Sequence, residues 1–296
     1  MISYEYYKTF YFCVKYMNFT KAAYALGTSQ SSVSHTVKTL EYQLGCRLFT
    51  RNNRGISLTS EGEQLFSYVS KGCEYFIKGE NKIIGGSSTE SGSVYLSATE
   101  TALNCFLFKA LNKFRTLYPN IKFKIENLNS FNAAESVKTG ISDFAVLPTP
   151  VKISKPLVEK PLVIFRDVLI CGNRFTEISE KPFKIADIVK YPYISLCKGT
   201  ATRAFYDMFF ERENIFISPD IEVATADMVI PMVKNNMGIG YVPELMPEIF
   251  GGNINIITAD ISPAPRSINI VYNTSVPQSP AAKTFLNFCV LESHIT

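Results

Sequence analysis

Apolar side chains recur every three or four positions through the first part of the chain, and this spacing predicts amphipathic helices. The first helix is predicted over residues 4–16. Its inward face is expected to carry Tyr7, Phe10, Cys13, Val14 and Met17. Further on, from residue 92, the pattern changes to short apolar runs that alternate with helical stretches, which is typical of strands and helices in turn.

Two helices joined by a short turn follow the first one. Thr20 is expected to cap a short helix that Gly27 ends, because glycine tolerates the positive φ of a tight turn. Ser29 is expected to cap a longer helix over residues 30–44, which Gly45 ends. Such a pair is the helix-turn-helix signature. The outward face of the second helix carries small or donor-rich side chains suited to a DNA major groove: Gln30, Ser31, Ser34, His35 and Lys38. An ordinary helical hairpin with a solvated polar face is the alternative.

A hairpin and a long helix come next. Residues 47–59 read as strand, basic turn and strand, so Arg51 and Arg54 would lie on a wing beside the DNA backbone. Thr59 or Ser60 then caps a helix with a narrow apolar stripe. The stripe consists of Leu65, Val69, Cys73 and Phe76. A single stripe favours dimerisation of this helix, and packing onto its own chain is the alternative.

Charge supports a polyanionic partner for the first part of the chain. Residues 1–60 hold seven Lys or Arg and two acids, whereas the rest holds 23 basic and 24 acidic residues. The excess positive charge of +4 therefore belongs to the helix-turn-helix segment. A small and polar stretch at residues 85–92 reads as a linker.

The remainder predicts two similar α/β halves with a cleft between them, as in a periplasmic-binding-protein-like sensor. The predicted strands are residues 94–98, 123–128, 144–147, 193–196, 221–223, 239–242 and 268–272. The domains are then a winged helix-turn-helix (1–59), a linker helix and hinge (60–91) and an effector domain (92–296). Within the last, subdomain I is expected at about 92–165 and 268–296, and subdomain II at about 166–267. The fold class is α/β overall with a helix-rich N-terminal domain.

Ligands of such sheets bind beyond the carboxyl ends of the strands. This rule selects Thr99, Glu100, Thr101, Asn129, Ser130, Pro148 and Thr149 in one half, and Thr200, Thr202, Arg203 and Thr225 in the other. Helix N-termini there can offer N–H groups to an anion, and Arg203 would add a carboxylate clamp. Glu100 would disfavour an anionic effector, or would pair with Arg203 or with a cationic one. The alternative is that the hydroxyls only cap helices.

The sequence argues against catalysis and metal binding. Seven scattered cysteines without a C-x-x-C pair, and only two histidines, His35 and His294, fit neither a disulfide framework nor a zinc site. Gly238 and Gly240 are a fragment of a dinucleotide fingerprint that lacks the third glycine. We therefore expect no enzyme activity and no cofactor. No apolar run reaches membrane-spanning length and no secretory signal is apparent, so we expect a cytoplasmic protein and no membrane partner.

One stretch of about 50 residues resembles the N-terminal domain of LysR-type transcriptional regulators. The matching positions are Phe19-Thr20, Ala22-Ala23, Leu26, Ser29-Gln30, Val33-Ser34, Leu40-Glu41, Leu44-Gly45, Leu48-Phe49, Arg51, Arg54, Leu58-Thr59 and Gly62. Met17-Asn18 and Ser31 depart from the family pattern, which often has Gly-Ser and Pro there. Residues 198–203 and 237–243 resemble the inner-cleft loops of the family more weakly.

The resemblance implies a promoter-binding regulator controlled by a small-molecule effector. It implies assembly as a homodimer or as a dimer of dimers, a homotetramer, on a palindromic site, and we expect RNA polymerase as a further partner. Base or phosphate contacts fall to Gln30, Ser31, Ser34, His35 and Lys38, and backbone contacts to Thr28, Arg51 and Arg54. The alternatives are a solute-binding protein, or an effector-independent regulator whose C-terminal domain serves only oligomerisation.

Overall fold

The structure is a computed structural model that describes residues 2–52, 55–84, 91–246 and 253–293. It divides into two compact units, Met1–Ile83 and Ile84–Thr296. Each unit has its own hydrophobic core or cores, and each is described by itself.

The first unit is built from helices and one hairpin. Its elements are α1 (Tyr4–Tyr16), α2 (Phe19–Ala25), α3 (Gln30–Leu44), β1 (Phe49–Asn52), β2 (Gly55–Leu58) and α4 (Ser60–Ile84). The predicted bounds of α1 and α3 are confirmed. Gly27 follows the end of α2 at a φ of 64°, and Gly45 ends α3 at a φ of 71°. The predicted cap at Thr20 is wrong, because the cap lies two residues earlier, at Asn18, whose side chain accepts from the Lys21 N–H. Met17, predicted to face inward, ends α1 at a φ of 46° and is exposed.

The core of the first unit lies between α1, α2 and α3. Phe10, Ala22 and Leu40 are fully buried in it, and the Phe10 ring meets the Phe49 ring of β1 at 5.4 Å between centroids. Glu41 joins α3 to the hairpin, since its Oε1 accepts from the Leu48 N–H at 2.7 Å. These contacts fix the orientation of α3 relative to the wing.

The apolar stripe of α4 packs onto its own chain, as the alternative predicted, and dimerisation of this helix stays a prediction. Val69 and Cys73 are buried in the core of the first unit, and Leu65 packs against that core. The Phe76 ring contacts the Tyr4 ring of α1 at 4.7 Å. Helical spacing alone did not distinguish a neighbouring helix of the same chain from one of a second chain. Thr59 caps α4, because its Oγ1 accepts from the Gly62 N–H at 3.0 Å.

The second unit contains two five-stranded sheets. The first sheet has the order β4-β3-β5-β12-β6, with β3 (Ser91–Ala98), β4 (Asn120–Asn127), β5 (Phe144–Pro148), β6 (Leu157–Phe165) and β12 (Arg266–Asn273). The helices associated with this sheet are α5 (Glu100–Ala102), α6 (Phe108–Leu117), α7 (Ser130–Lys138) and α10 (Pro280–Leu291). A π-helical segment, Leu103–Leu107, joins α5 to α6.

The second sheet has the order β11-β7-β10-β8-β9. Its strands are β7 (Asp167–Cys171), β8 (Tyr193–Leu196), β9 (Ile221–Val223), β10 (Ile239–Pro243) and β11 (Asn255–Ile257). Its helices are α8 (Ala201–Arg212) and α9 (Val229–Lys234), with 3₁₀ turns at Asn173–Ile178, Ile185–Lys190 and Ala226–Met228. Each half therefore has a sheet with helices packed on it, as the strand and helix pattern predicted.

The sheets are mixed, whereas the sequence pattern predicted parallel ones. Strands β3, β4 and β5 are parallel, but β12 pairs antiparallel with β5 and β6. In the other sheet β7 is antiparallel to both β10 and β11. The two strands that pair antiparallel with their neighbours, β7 and β12, lie where the chain enters the second half and where it returns to the first. The outward crossing falls at Arg166, between β6 and β7, and the chain re-enters the first sheet at Arg266.

Candidate functional site

The outward face of α3 is exposed along its whole length. Buried positions Val33, Val37 and Leu40 form one stripe, and the predicted DNA contacts lie on the other side. Gln30, Ser31, His35 and Lys38 are exposed, Ser34 is half-buried, and Thr28 is exposed in the turn before the helix. Ser29 caps α3, because its Oγ accepts from the Ser32 N–H at 3.2 Å. The cap sets where the polar face begins, so Gln30, Ser31, His35 and Lys38 are presented to solvent from one helix.

The wing is a two-stranded antiparallel hairpin in which Asn52 pairs with Gly55. The backbone of Arg51 lies in β1, whereas the predicted contact Arg54 lies outside the described residues. The Thr50 and Ser57 hydroxyls are 2.7 Å apart across the two strands. The two predicted strands are thus present in the same unit as α3, and residues 53 and 54 between them lie outside the described residues.

A cavity of about 190 Å³ lies in the second unit at the carboxyl ends of five strands, three from one sheet and two from the other. Nine of the residues predicted to bind an effector line it: Thr99, Glu100, Thr101, Asn129, Ser130, Pro148, Thr200, Thr202 and Thr225. Parallel strands of both halves end at this place, which is why residues far apart in sequence meet here. The cavity is smaller than the roughly 300–1,000 Å³ of drug-sized ligand sites, so its size suits a small metabolite.

Sequence reasoning missed six lining residues. They are Asn127, Leu128, Leu196, Ala201, Ala224 and Ala226. Most are small or apolar and carry no chemical signal of their own. Four of them are the last residue of a strand or the one after it, so the strand-end rule covers their positions. The bounds of β8 and β9 were predicted correctly, and Leu196 and Ala224 were missed because only polar side chains and Pro148 were selected there.

Helix N-termini supply the polar character of the cavity. The side chains of Thr99, Asn129 and Thr200 each accept from the backbone N–H three residues later, at 2.9–3.2 Å. For these three residues the capping alternative holds. Helix starts leave first-turn N–H groups without intrahelical partners, and α7 and α8 both begin at the cavity wall. The wall therefore offers hydrogen-bond donors to an anionic or polar ligand.

Two predicted site residues are not among the lining residues. The proposed clamp Arg203 is buried, and its guanidinium donates to Asp207 at 2.7 Å and to Glu222 at 2.6 Å. Its donors are thereby used within the protein, so neither a ligand carboxylate nor Glu100 is its partner. Thr149 instead contacts β12, where its Oγ1 accepts from the Ser267 N–H at 2.9 Å.

A buried ion pair lies next to the cavity where the chain passes between the two halves. The guanidinium of Arg266 donates to both carboxylate oxygens of Asp167, at 2.7 and 2.8 Å, and the Tyr206 hydroxyl donates to the same carboxylate at 2.9 Å. Arg266 also donates to Thr202 Oγ1 at 3.1 Å. Thr202 lines the cavity, so one hydroxyl connects the cavity wall with the ion pair. Asp167 and Arg266 are 99 residues apart, and no local sequence signal pairs them.

The described residues contain buried thiols but no cluster of metal ligands. Burial raises the pKa of Cys13 and of Cys105 to about 12, so both thiols are protonated at neutral pH. Within the part of the chain that the structure describes, no group of three His, Cys, Asp or Glu is placed to hold a metal ion. Among the same residues, no helix has the length and apolarity of a membrane span.

Comparison with known proteins assigns a family to both units. Residues 5–63 match the family model of the bacterial regulatory helix-turn-helix protein, lysR family, and residues 87–292 match that of the LysR substrate binding domain. The HTH-type transcriptional regulator IlvY of Escherichia coli (strain K12) is 28% identical over 249 residues, which are 81% of this chain and 82% of that protein.

Solved structures share the fold. The structure of full-length CbnR complexed with its target DNA superposes with a TM-score of 0.76 at 16% identity, covering 98% of this chain and 99% of that one. The regulatory domain of CcmR from Synechocystis PCC6803, in complex with 2-PG, gives a TM-score of 0.62 at 17% identity over 69% of this chain and 98% of that one. With the two family models matched across both units, the chain belongs to the LysR family of transcriptional regulators.

Proposed function

We propose that the exposed face of α3 binds promoter DNA and that a small molecule in the cavity of the second unit alters this binding. The observation that carries the proposal is the presence in one chain of an exposed polar face on α3 and a cavity at the strand ends. Base-edge contacts are assigned to Gln30, Ser31, Ser34, His35 and Lys38. Phosphate contacts are assigned to Thr28, Arg51 and Arg54.

The DNA assignment predicts two different kinds of loss. Replacing Arg51 and Arg54 by Ala removes phosphate contacts, so the slope of log affinity against log salt should become less steep by about 2. Replacing Gln30 by Ala should change the preference among base sequences by about 1–3 kcal/mol. Fluorescence anisotropy with a duplex of the protein's own promoter and a scrambled duplex measures both effects. Equal losses on the two duplexes for Gln30→Ala would contradict base readout.

The effector is proposed to act through Thr202. A ligand that hydrogen-bonds this hydroxyl competes with or reorients its bond to Arg266, which holds the two halves together at the ion pair with Asp167. Ligand binding then changes the angle between the halves by biasing one of two arrangements. Thr202→Val keeps the shape and removes the hydroxyl, so DNA affinity without ligand should stay and the response to ligand should be lost. A retained response would place the coupling elsewhere.

Self-association is proposed through the exposed side of α4. Tyr68, Gly72, Tyr75 and Gly79 are spaced by four, three and four residues, and all four are exposed. We call these four residues the α4 seam. Aromatic rings next to glycines at this spacing permit a second helix to approach closely. Sedimentation velocity of Gly72→Glu and of Glu63→Gln, a change outside the seam, should show a smaller species only for the first.

The remaining partners follow from the regulator's task. Promoter binding brings the protein to the site of RNA polymerase, and we propose contact with it. The bacterial chromosome lies in the cytoplasm, and we propose that location. We further propose that the protein has no catalytic function, and that residues 1–59, 60–91 and 92–296 are its functional divisions. If a variant that no longer responds to the effector, such as Thr202→Val, regulates transcription in cells as the wild type does, the C-terminal unit serves only oligomerisation. The effector part of the proposal then fails.

A further inference from the structure

Glu100 is a buried acid in the wall of the cavity. Its side chain is only 8% exposed although it lines the cavity, and it is the one ionisable residue among the described lining residues. One carboxylate oxygen accepts from the Asp227 backbone N–H at 3.3 Å, and the other contacts the Asn104 side-chain amide. These two contacts hold the carboxyl group in place on the side of the cavity where α5 begins.

A second carboxylate approaches Glu100 from the other half of the unit. Asp227 belongs to the 3₁₀ turn Ala226–Met228, and its Oδ1 is buried without a hydrogen-bond partner among the described residues. Burial, and next the negative charge of Asp227, raise the pKa of Glu100 to about 7. Two acids this near to each other repel unless one is protonated or a cation binds beside them.

No basic side chain offsets these acids in the described surroundings. The elements packed against α5 are β5, the turn with Asp227, and the π-helical segment. Strand β5 has no titratable residue, and the π-helical segment contributes only the Cys105 thiol, which is protonated at neutral pH. Arg266 donates to Thr202 of the cavity wall, but its charge is already paired with Asp167. The two acids therefore leave negative charge at the cavity wall that a cationic group of a bound molecule can neutralise.

The rest of the wall is suited to an anionic group. Thr101 directly follows Glu100, and the hydroxyls of Ser130 and Thr202 and the starts of α7 and α8 add donors. A site for negative charge thus adjoins a site for positive charge within one cavity of about 190 Å³. Glu100 and Thr101 are consecutive and both line this small cavity, which suits a ligand whose two opposite charges are on groups attached to one carbon.

We propose that the effector is a small zwitterion of the α-amino acid class, whose ammonium group binds Glu100 and whose carboxylate binds the hydroxyl and N–H donors around Thr101, Ser130 and Thr202. This rests on the proposed function, because it assigns the chemistry of the same cavity. An ammonium group stabilises ionised Glu100, so binding releases a proton and affinity rises with pH through about 7. A 2-hydroxy acid adds negative charge next to Glu100, so its affinity should fall over the same interval.

The test uses full-length protein and isothermal titration calorimetry with the twenty standard amino acids. Each is paired with the 2-hydroxy acid that has the same side chain, such as alanine with lactate. We expect at least one amino acid to bind, its hydroxy acid to bind at least tenfold more weakly at pH 8, and Glu100→Gln to weaken the amino acid at least tenfold. Glu135→Gln, an exposed acid of α7 outside the cavity, is the matched control and should bind as the wild type does.

The outcomes separate this proposal from the proposed function. Equal binding of the amino acid and its hydroxy acid, unchanged binding in Glu100→Gln, or failure of every amino acid at 10 mM overturns the zwitterion assignment. If a hydroxy acid binds in its place and Thr202→Val abolishes its effect on DNA affinity, the cavity is still the effector site and only the ligand class is wrong. Circular dichroism of Glu100→Gln confirms that a loss of binding is not a loss of folding.

Discussion

The ion pair between Asp167 and Arg266 should be worth far more to stability than a surface pair of the same geometry. Both side chains are almost fully buried, at 0% and 2% exposed, with the closest nitrogen and oxygen 2.7 Å apart. Asp167→Asn removes the negative charge and places an amide donor against guanidinium donors. The Arg266 charge then stays buried without a counter-charge, and one of the two charge-assisted hydrogen bonds is lost.

Removing one partner of a buried pair costs about 3–5 kcal/mol. In a unit of this size each kcal/mol lowers the melting temperature by about 2–4 °C, so Asp167→Asn should melt about 10 °C below the wild type. Phe165 and Phe205, whose rings lie 4.9 and 4.8 Å from the guanidinium carbon, stabilise the cation only in part. Differential scanning calorimetry of the full chain measures the shift of the transition that belongs to the second unit.

Lys113 and Glu292 provide the matched comparison. Their nitrogen and oxygen are 2.6 Å apart, but the side chains are 59% and 30% exposed. Glu292→Gln should therefore cost less than about 1 kcal/mol, since exposed pairs are screened by water. Similar melting temperatures for Asp167→Asn and Glu292→Gln would refute the reasoning that burial, rather than distance, sets the value of the pair.

Three further predictions test other parts of the structure. In Gly62→Ala the new Cβ would lie 2.2 Å from the Leu48 carbonyl oxygen, so the first unit should lose at least about 2 kcal/mol in chemical denaturation. Ser29→Ala removes the cap of α3 and should cost about 1 kcal/mol in the same assay. The native pKa of Glu100, about 7, exceeds its unfolded value near 4.5, so its contribution to stability is full below about pH 4.5 and is lost as pH rises through 7. Glu100→Gln should remove up to about 3 kcal/mol of this pH dependence, which urea unfolding at several pH values measures.

Local signals predicted the first unit well. The caps and stops of α3, Ser29 and Gly45, are chemical features of single residues, and helical spacing supplied its buried face. The strand-end rule likewise brought Thr99, Asn129 and Thr200 to one cavity, because parallel strands align their carboxyl ends regardless of what lies between them.

The errors come from contacts that sequence spacing does not encode. Arg203 has one partner that sequence spacing can predict and one that it cannot. Asp207 lies four residues further along the same helix, where an ion pair is expected, whereas Glu222 lies on β9. The stripe of α4 was identified correctly as apolar, but its neighbour turned out to be α1 of the same chain. Strand β7, whose residues lack a regular alternation, was recognisable only through its antiparallel pairing with β10.

The position of β12 has a consequence for biosynthesis. Strand β12 is the central link between β5 and β6, and Ile270 pairs with Val146 on one side and Lys160 on the other. The first sheet therefore cannot be completed until the ribosome has made residue 273, whereas all strands of the second sheet, ending with β11 at Ile257, are available earlier. Contacts of such long sequence separation slow folding and leave strand edges open meanwhile. Within the second unit, the second sheet should thus reach its native form before the first sheet, while β5 and β6 await the strand that joins them.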